Sequence, residues 1–246
     1  MSKGARENAG EVIGDLLAPL VASASRARQA RMFHPDGQTF IGSVEAIPGD
    51  GPLACMGATL AGHALVRFSG ALWRRGFPHL DVLGVAMRLR SEPISDTVAR
   101  PDDQDLLFAT IMSPFTMPFA PLTTDAGDFA ANHYWAVSPF DAPGIGRVKF
   151  RLSPGDQPHA SKLSREESLA SNVAQHLSSW TLSVRRTFSL PWTPVARLTL
   201  TDEAHVDQAA LRFSPFQCGR GIVPRGLVHA IRRPTYAASQ AARPAH

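Results

Sequence analysis

Apolar residues recur along this chain at two different periods, and the period changes early in the sequence. From about 10 to 30 they fall at helical spacing and share one face: Val12, Leu16, Leu17, Leu20 and Val21. Short strand-like runs follow, each bounded by Gly, Pro or Asp. They predict eight strands, near 38–47, 62–69, 81–90, 104–112, 131–138, 146–152, 179–188 and 194–201.

Two later segments predict further helices. The segment from Leu163 to Leu177 has Ser164 as its N-cap and Glu167 at the capping-box position. The last candidate helix covers roughly 225–242 and contains Pro234, which lacks an N–H and clashes with the preceding turn, so the helix either begins or kinks there. Strands with helices at both ends and one between them predict an α+β fold, an antiparallel eight-stranded β-barrel with flanking α-helices.

Length and composition fit one globular domain over residues 1–246, with about 1–10 and 244–246 frayed. The chain is 44% apolar and 19% charged, and no segment approaches the ~18 apolar residues of a membrane span. The apolar stretch from Val12 to Ala22 is interrupted by Asp15 and Pro19, so we do not interpret it as a signal peptide.

The basic charge does not by itself indicate a nucleic-acid surface. The net charge is +4 and the pI about 9.6, but the arginines are scattered and no cluster alternates with exposed aromatic residues along the sequence. Cys55 and Cys218 have no paired-cysteine spacing, which indicates a reduced, cytoplasmic protein without a disulfide framework.

Candidate chemistry begins with Arg232, Tyr236 and Arg243 close to the C-terminus. Spacings of four and seven residues place side chains on one helix face. A nearby arginine favours the phenolate of a tyrosine, and a phenolate is one of the proximal ligands of haem iron. The second arginine suits a propionate, because its guanidinium matches a carboxylate. Pro234 biases Arg233 away from helix, so Arg233 is an alternative to Arg232 beside the tyrosine.

Two further motifs precede this triplet in a specific order. Arg31, His34 and Gly37 form R-x-x-H-x-x-G, and an aromatic residue and a glycine follow. Val66-Arg67-Phe68-Ser69 is followed after a loop by a D-x-x-G-x-A-x-R strand over residues 81–88. In this order the motifs resemble the haem catalase superfamily, and the chain resembles a short catalase-related peroxidase. Weaker matches continue the resemblance to Arg243, at Asp105-Leu106-Leu107, residues 132–135 and 148–150, Ser179-Trp180-Thr181 and residues 194–198.

The resemblance implies a haem b site with two faces. Tyr236 would be the axial iron ligand, and Arg232 would support its phenolate. His34 would be the distal acid–base group, with Ser69 accepting a hydrogen bond from its ring and fixing its tautomer. The haem propionates would pair with three arginines, Arg31, Arg67 and Arg243.

The chain departs from the catalase pattern on the distal side. Catalases carry an asparagine in the segment that corresponds to 105–114, whereas this chain has none there. Thr110 or Ser113 is the candidate to donate a hydrogen bond in its place, and Phe115 or Phe119 to supply the aromatic ring that covers the haem. Without the further segments of full catalases, neither bound NADPH nor an interlocked tetramer is expected.

These features predict a haem-dependent peroxidase that uses hydrogen peroxide or an organic hydroperoxide to oxidise a small organic or lipid substrate. A homodimer is the expected assembly, with no nucleic-acid partner. Three alternatives stay open: rearrangement of a fatty-acid hydroperoxide or a biosynthetic oxidation on the same scaffold, weak catalase activity, and a non-enzymatic haem-binding barrel.

Overall fold

Strands make up most of the part of the chain that the computed structural model describes, which is residues 37–71, 80–136, 138–158, 163–208 and 210–225. Apart from Arg225, the predicted helices at 10–30 and 225–242 lie outside these residues. The described strands are β1 Gly37–Ala46, β2 Gly62–Gly70, β3 Leu83–Arg90, β4 Gln104–Ala109, β5 Tyr134–Trp135, β6 Phe140–Ala142, β7 Gly146–Pro154, β8 Ser179–Arg186, β9 Thr193–Glu203 and β10 Val223–Pro224.

Eight of these strands close into an antiparallel barrel in the order β1-β2-β3-β4-β5-β7-β8-β9, and β9 returns to pair with β1. The pairing of β7 with β8 completes the ring. Strand β6 pairs with the first residues of β7, and β10 pairs with β6. The predicted antiparallel eight-stranded barrel is therefore confirmed.

The core fills the inside of the barrel, because alternate residues of each strand point inward. Aromatic rings dominate its centre. The ring centroid of Phe68 lies 5.2 Å from that of Trp180 and 5.4 Å from that of Phe129. Neighbouring strands add inward apolar residues from the same cluster, among them Phe40, Val85, Phe108, Phe150, Leu182 and Leu198.

The described helices are short: α1 Pro52–Leu60, α2 Ala120–Thr123 and α3 Arg165–Ala174, with 3-10 turns at Pro114–Phe119 and Phe129–Ala131. The predicted capping box of α3 is confirmed. The Ser164 hydroxyl accepts from the Glu167 amide at 3.2 Å, and the Glu167 carboxylate accepts from the Ser164 amide at 2.9 Å. No helix in this part of the chain is long and apolar enough to cross a membrane.

Helix α1 was not predicted, because its buried face includes a glycine. Met56, Gly57 and Leu60 face the barrel. A Cβ atom on Gly57 would lie 2.1 Å from the carbonyl oxygen of Val195, so the helix backbone lies directly against β9. A glycine used for close approach has no apolar side chain to signal the helix in the sequence.

Two arginine–aspartate pairs are buried on the outer side of β3 and β4. Arg88 donates to both oxygens of the Asp105 carboxylate at 2.8 and 2.9 Å. Arg90 donates to both oxygens of Asp103 at 2.7 and 2.8 Å. The amides of Arg100 and Ser214 also donate to these carboxylates, at 2.8 Å each. Through the Ser214 amide, the Arg88–Asp105 pair therefore holds the connection after β9 against the barrel wall. Through the Arg100 amide, the Arg90–Asp103 pair holds the connection between β3 and β4.

We expect Asp103→Asn to lower the free energy of unfolding by about 3–5 kcal/mol, because it removes the buried bidentate carboxylate from the Arg90 guanidinium. The measurement is urea unfolding followed by tryptophan fluorescence. Asp96→Asn is the matched control. Asp96 is half-exposed and lies 3.6 Å from Arg90, so its loss should cost about 0–1 kcal/mol. Equal losses in the two variants would contradict a buried pair.

The same pair predicts a pH dependence of stability. Burial raises the pKa of the Asp103 carboxyl, but hydrogen bonds from Arg90 and from the Arg100 amide, with the charges of Arg90 and Arg88, outweigh it and hold the pKa below its usual 3.8. A lowered folded-state pKa adds stability above the unfolded-state pKa, and this stability is lost as pH falls through the folded-state value. We expect the difference in unfolding free energy between the wild type and Asp103→Asn to shrink below about pH 4. A constant difference down to about pH 3 would contradict this.

Candidate functional site

A row of small residues crosses the outer face of four neighbouring strands. Gly37 pairs with Ser69, Ser69 with Gly84, and Gly84 with Ala109. Cross-strand partners share a face, and the inward positions beside this row are held by Phe68, Val85 and Phe108. The row of small residues therefore lies on the outer face of the barrel and forms a floor without large side chains. Such a floor could accommodate a planar macrocycle such as haem.

Arg67 lies two residues before Ser69 on β2 and therefore on the same outer face, opposite Thr39 on β1 and Ala86 on β3. It is buried, and its Nε donates to the side-chain oxygen of Gln208 at 3.4 Å. Gln208 is itself held by Thr39, with 2.8 Å from its amide nitrogen to the Thr39 hydroxyl. The guanidinium is thus oriented from the loop that follows β9.

Gly37 makes the space into which the Arg67 guanidinium folds. A Cβ atom on Gly37 would lie 2.7 Å from Cζ of Arg67 and 2.4 Å from the carbonyl oxygen of Phe68. No side chain fits there unless the arginine or the strand moves. This close approach explains why a glycine stands at the end of the R-x-x-H-x-x-G motif.

Ser69 stands in the middle of the row of small residues, and glycines flank it on both neighbouring strands. Its side chain is buried. Because Gly37 and Gly84 have no side chains, neither β1 nor β3 places a side chain beside the Ser69 hydroxyl. The predicted role of Ser69 toward His34 stays a prediction, because His34 lies outside the described residues.

Thr110 follows Ala109 at the end of β4 and joins β4 to the start of β3. Its hydroxyl oxygen accepts from the Leu83 amide at 3.1 Å and lies 2.7 Å from the Thr124 hydroxyl. The Thr124 hydroxyl also lies 2.8 Å from the Ala120 carbonyl oxygen, which can only accept, so Thr124 donates to that carbonyl and accepts the hydrogen of Thr110. The predicted role of Thr110 as a hydrogen-bond donor to a ligand stays a prediction, and it requires this hydrogen to leave Thr124.

The other distal candidates occupy the 3-10 turn after β4. Ser113 caps this turn, because its hydroxyl accepts from the Thr116 amide at 3.3 Å while Thr116 accepts from the Ser113 amide at 3.0 Å. Phe119 is 62% exposed. The backbone of Phe115 belongs to the turn, and its side chain lies outside the described residues.

Sequence reasoning missed an ion pair beside this floor. The Asp81 carboxylate is fully buried and accepts from the amides of Ala71 and Val82 at 3.1 and 2.8 Å. Arg165 at the start of α3 donates to it at 3.1 Å. A Cβ atom on Gly70 would lie 2.4 Å from the carboxylate. The pair holds the end of β2, the start of β3 and α3 together.

Gln208 was also missed, since nothing in a loop glutamine distinguishes it in the sequence. The proximal triplet Arg232, Tyr236 and Arg243 lies outside the described residues, and so do Arg31 and His34. The described residues contain no group of three or more His, Cys, Asp or Glu side chains that could hold a metal ion. Among the predicted site residues, the structure brings Arg67 and Ser69 onto one face. Thr110 directly follows Ala109, the residue at the β4 end of the floor.

We expect Gly37→Ala to destabilise the fold by about 1–3 kcal/mol, because the added methyl group overlaps a backbone carbonyl and the Arg67 guanidinium. Gly49→Ala is the matched control. Its Cβ atom would lie 3.7 Å from that of Ala54, an ordinary contact. Thermal unfolding of both variants measures the effect. A Gly37→Ala protein as stable as Gly49→Ala would show that the approach of Arg67 is not required.

Comparisons with known proteins found similarity at the level of structure alone. No protein-family model and no curated protein matches the sequence. The structure is similar to a fungal catalase, with 15% identity, a TM-score of 0.51 and coverage of 80% of this chain and 57% of that chain. It is similar to a bacterial catalase, with 14% identity, a TM-score of 0.56 and coverage of 90% and 59%.

Catalase A from Saccharomyces cerevisiae is a third similar structure, with 13% identity, a TM-score of 0.54 and coverage of 89% of this chain and 63% of that chain. The chain thus spans about three-fifths of the length of these catalases. The eight-stranded barrel of this protein therefore has the catalase-like fold.

Proposed function

We propose that this protein binds haem b on the outer face of β1 to β4 and uses it for peroxide-dependent oxidation of a small organic substrate. The observation that carries the proposal is the row of small residues beside the buried arginine. Gly37, Ser69, Gly84 and Ala109 leave a floor without large side chains, and the buried Arg67 guanidinium lies over its Gly37 edge. Arg67 has the charge and the planar fork that a propionate needs.

The iron ligand would be Tyr236, and the other tyrosine of the chain supports this assignment by its own environment. The chain has two tyrosines. Tyr134 is buried in the core, and its hydroxyl donates to the Phe129 carbonyl at 2.8 Å. Burial, with the nearby Asp128 carboxylate, raises the pKa of Tyr134 well above 10, so it stays a neutral phenol. Tyr236 remains as the phenolate candidate, with Arg232 or Arg233 to support it.

The remaining residues would divide the other tasks. Arg31 and Arg243 would join Arg67 in pairing with the propionates. His34 would take a proton from the near oxygen of the peroxide and return it to the leaving oxygen, and Ser69 would fix the tautomer of its ring. Thr110 would donate a hydrogen bond where catalases have asparagine, in place of its hydrogen bond to Thr124. Bound haem would supply the change of oxidation state that these residues alone lack.

Tyr236→Phe tests the cofactor assignment. We expect the full chain reconstituted with haem to show the absorption of high-spin ferric haem with a phenolate ligand, and this spectrum to change in Tyr236→Phe. Tyr134→Phe is the matched control, since it removes the other phenol, and it should leave the spectrum unchanged. An unchanged spectrum in Tyr236→Phe would overturn the axial assignment.

His34→Ala tests the distal role. We expect the reaction of the holo-protein with hydrogen peroxide to slow by about 10²–10⁴-fold, because general acid–base catalysis contributes rates of that order. His205→Ala, at an exposed loop position, is the control and should react at the wild-type rate. Haem absorption is compared in all three proteins, so that a lost cofactor is distinguished from a lost proton carrier.

Product analysis separates the proposal from its alternatives. Oxidation of an aromatic donor with hydrogen peroxide or an alkyl hydroperoxide supports it. Oxygen release at catalase-like rates without donor oxidation would contradict it. Conversion of a fatty-acid hydroperoxide into an isomer without any donor would point instead to rearrangement on the same scaffold.

A further inference from the structure

The hairpin between β8 and β9 displays two large apolar side chains to solvent. Phe188 is fully exposed and Leu190 is 87% exposed. Phe188 also has a φ of 71°, a left-handed conformation that is unfavourable for a bulky residue. Its exposed ring gains no packing from the barrel that would offset this conformation. Such a tip indicates a surface that is covered in use.

Strand β8, which leads into the hairpin, and its neighbour β7 carry many basic residues. Arg147, Lys149 and Arg151 alternate along β7, and Arg185 and Arg186 end β8. The segments 141–151 and 185–197 contain a single carboxylate, Asp141. Asp141 contacts Arg147 at 3.7 Å and Arg225 at 2.9 Å. In the described part of the chain no carboxylate lies within ion-pair distance of the others.

Trp192, at the base of the hairpin, lies among these charges. The guanidinium carbons of Arg151 and Arg185 lie 4.9 and 4.8 Å from the centre of its ring. The Nε of Arg151 is buried and has no hydrogen-bond partner among the described residues. Burial and the charge of Arg185 lower the pKa of Arg151, as expected for a cluster whose positive charge is not balanced.

We propose that this end of the barrel docks onto a membrane surface that contains anionic lipids. The hairpin surface, as we call it, comprises Phe188, Leu190, Trp192, Lys149, Arg185 and Arg186. Hydrocarbon would cover the tip, tryptophan suits the interface, and the basic side chains would meet anionic headgroups. A second copy of the chain would bring like charges together, and a nucleic acid offers no hydrocarbon for the tip.

A cleft beside the hairpin adds room for lipid groups. It has a volume of about 420 Å³ and lies between the β8–β9 hairpin and the segment that joins β1 to α1. Its lining is mostly apolar and proline-rich, and among its described residues Arg186 and Asp50 carry charge. An acyl chain or glycerol group could enter it while the tip is covered.

The hairpin surface is separate from the candidate haem site. Strand β1 begins with Gly37 in the row of small residues and ends with Ala46, which pairs with Ala196 beside the hairpin. Along β1 ten residues of strand span about 30 Å, whereas across the wall Ala109 pairs with Trp135 and Trp135 with Arg151, which lies against Trp192. Phe188 and Leu190 at the tip are not part of the floor, so substitutions there should leave the candidate haem site unchanged.

Vesicle co-sedimentation of the full chain tests the proposal. Vesicles of phosphatidylcholine alone are compared with vesicles that also contain phosphatidylglycerol. We expect strong binding to the anionic vesicles, weaker binding to the neutral ones, and a decrease in binding as salt is added. A blue shift of tryptophan emission on the anionic vesicles, reduced in Trp192→Phe, should accompany binding.

Substitutions separate the apolar contribution from the charge. Phe188→Ser and Leu190→Ser should each weaken binding to anionic vesicles by about tenfold or more, as expected for losing one buried large apolar side chain. Arg185→Gln with Arg186→Gln should weaken binding to anionic vesicles by roughly fivefold per charge and leave neutral vesicles unaffected. Leu122→Ser, at a residue 71% exposed on α2, is the matched control and should bind as the wild type does.

Three results would overturn the proposal. The wild type could fail to bind both kinds of vesicle, or Leu122→Ser could lose as much binding as Phe188→Ser. Analytical ultracentrifugation could also show an oligomer that Phe188→Ser dissociates, in a chain that does not bind vesicles. That last result would assign the hairpin surface to a second copy of the protein.

Discussion

The pairing of β7 with β8 closes the sheet, and the rest of the structure depends on that closure. Seven residue pairs join the two strands, from Val148 with Arg186 to Pro154 with Trp180. With the ring closed, eight strands leave an interior just wide enough for their own side chains. Among the described residues, Phe68, Trp180 and Phe129 fill its centre. The outer face of the wall and its two ends are therefore the surfaces on which we place binding and catalysis.

Strand alternation then decides what the outer face can do. On β1 to β4 it presents small residues at one end and paired charges at the other. Arg88 and Arg90 are tolerated in a desolvated setting because each has a bidentate carboxylate. Arg67, on the same face, is held by Gln208 and by the close approach of Gly37. An arginine that is already oriented loses less conformational entropy when it meets a ligand carboxylate.

The sequence predicted the barrel well because its strands are short, alternating and bounded by turn residues. The predicted runs at 38–47, 62–69 and 146–152 match β1, β2 and β7 within two residues at either end. Among its described residues, the run predicted at 131–138 is a strand at Tyr134–Trp135, because the segment before it forms a 3-10 turn capped by Asp128. That turn depends on a local side-chain hydrogen bond, which hydrophobic alternation does not reveal.

The candidate site was predictable only where a motif lies on a strand. Arg67 and Ser69 came from the V-R-F-S motif, and the strand register places both on one face with Gly37. Gln208 and Arg165 could not be found in this way, since each acts across more than 80 residues of sequence through a contact that the closed barrel creates. The floor itself follows from register as well, because Gly37, Ser69, Gly84 and Ala109 are unremarkable until four strands align them.

The two ends of the barrel differ in what their side chains need. At the end that carries the row of small residues, polar groups are buried and paired, and Asp81 with Arg165 holds the neighbouring strands and α3 together. Beside the hairpin surface, Phe188 and Leu190 are exposed, and among the described residues Arg151, Arg185 and Arg186 have no carboxylate within ion-pair distance. Burial with satisfied partners favours a rigid site for chemistry, whereas unsatisfied charge beside exposed hydrocarbon favours a surface that gains stability only on contact with a partner. Because β1 runs from one end to the other, the rigid barrel wall would hold the candidate haem site at a fixed distance from the surface that the hairpin contacts.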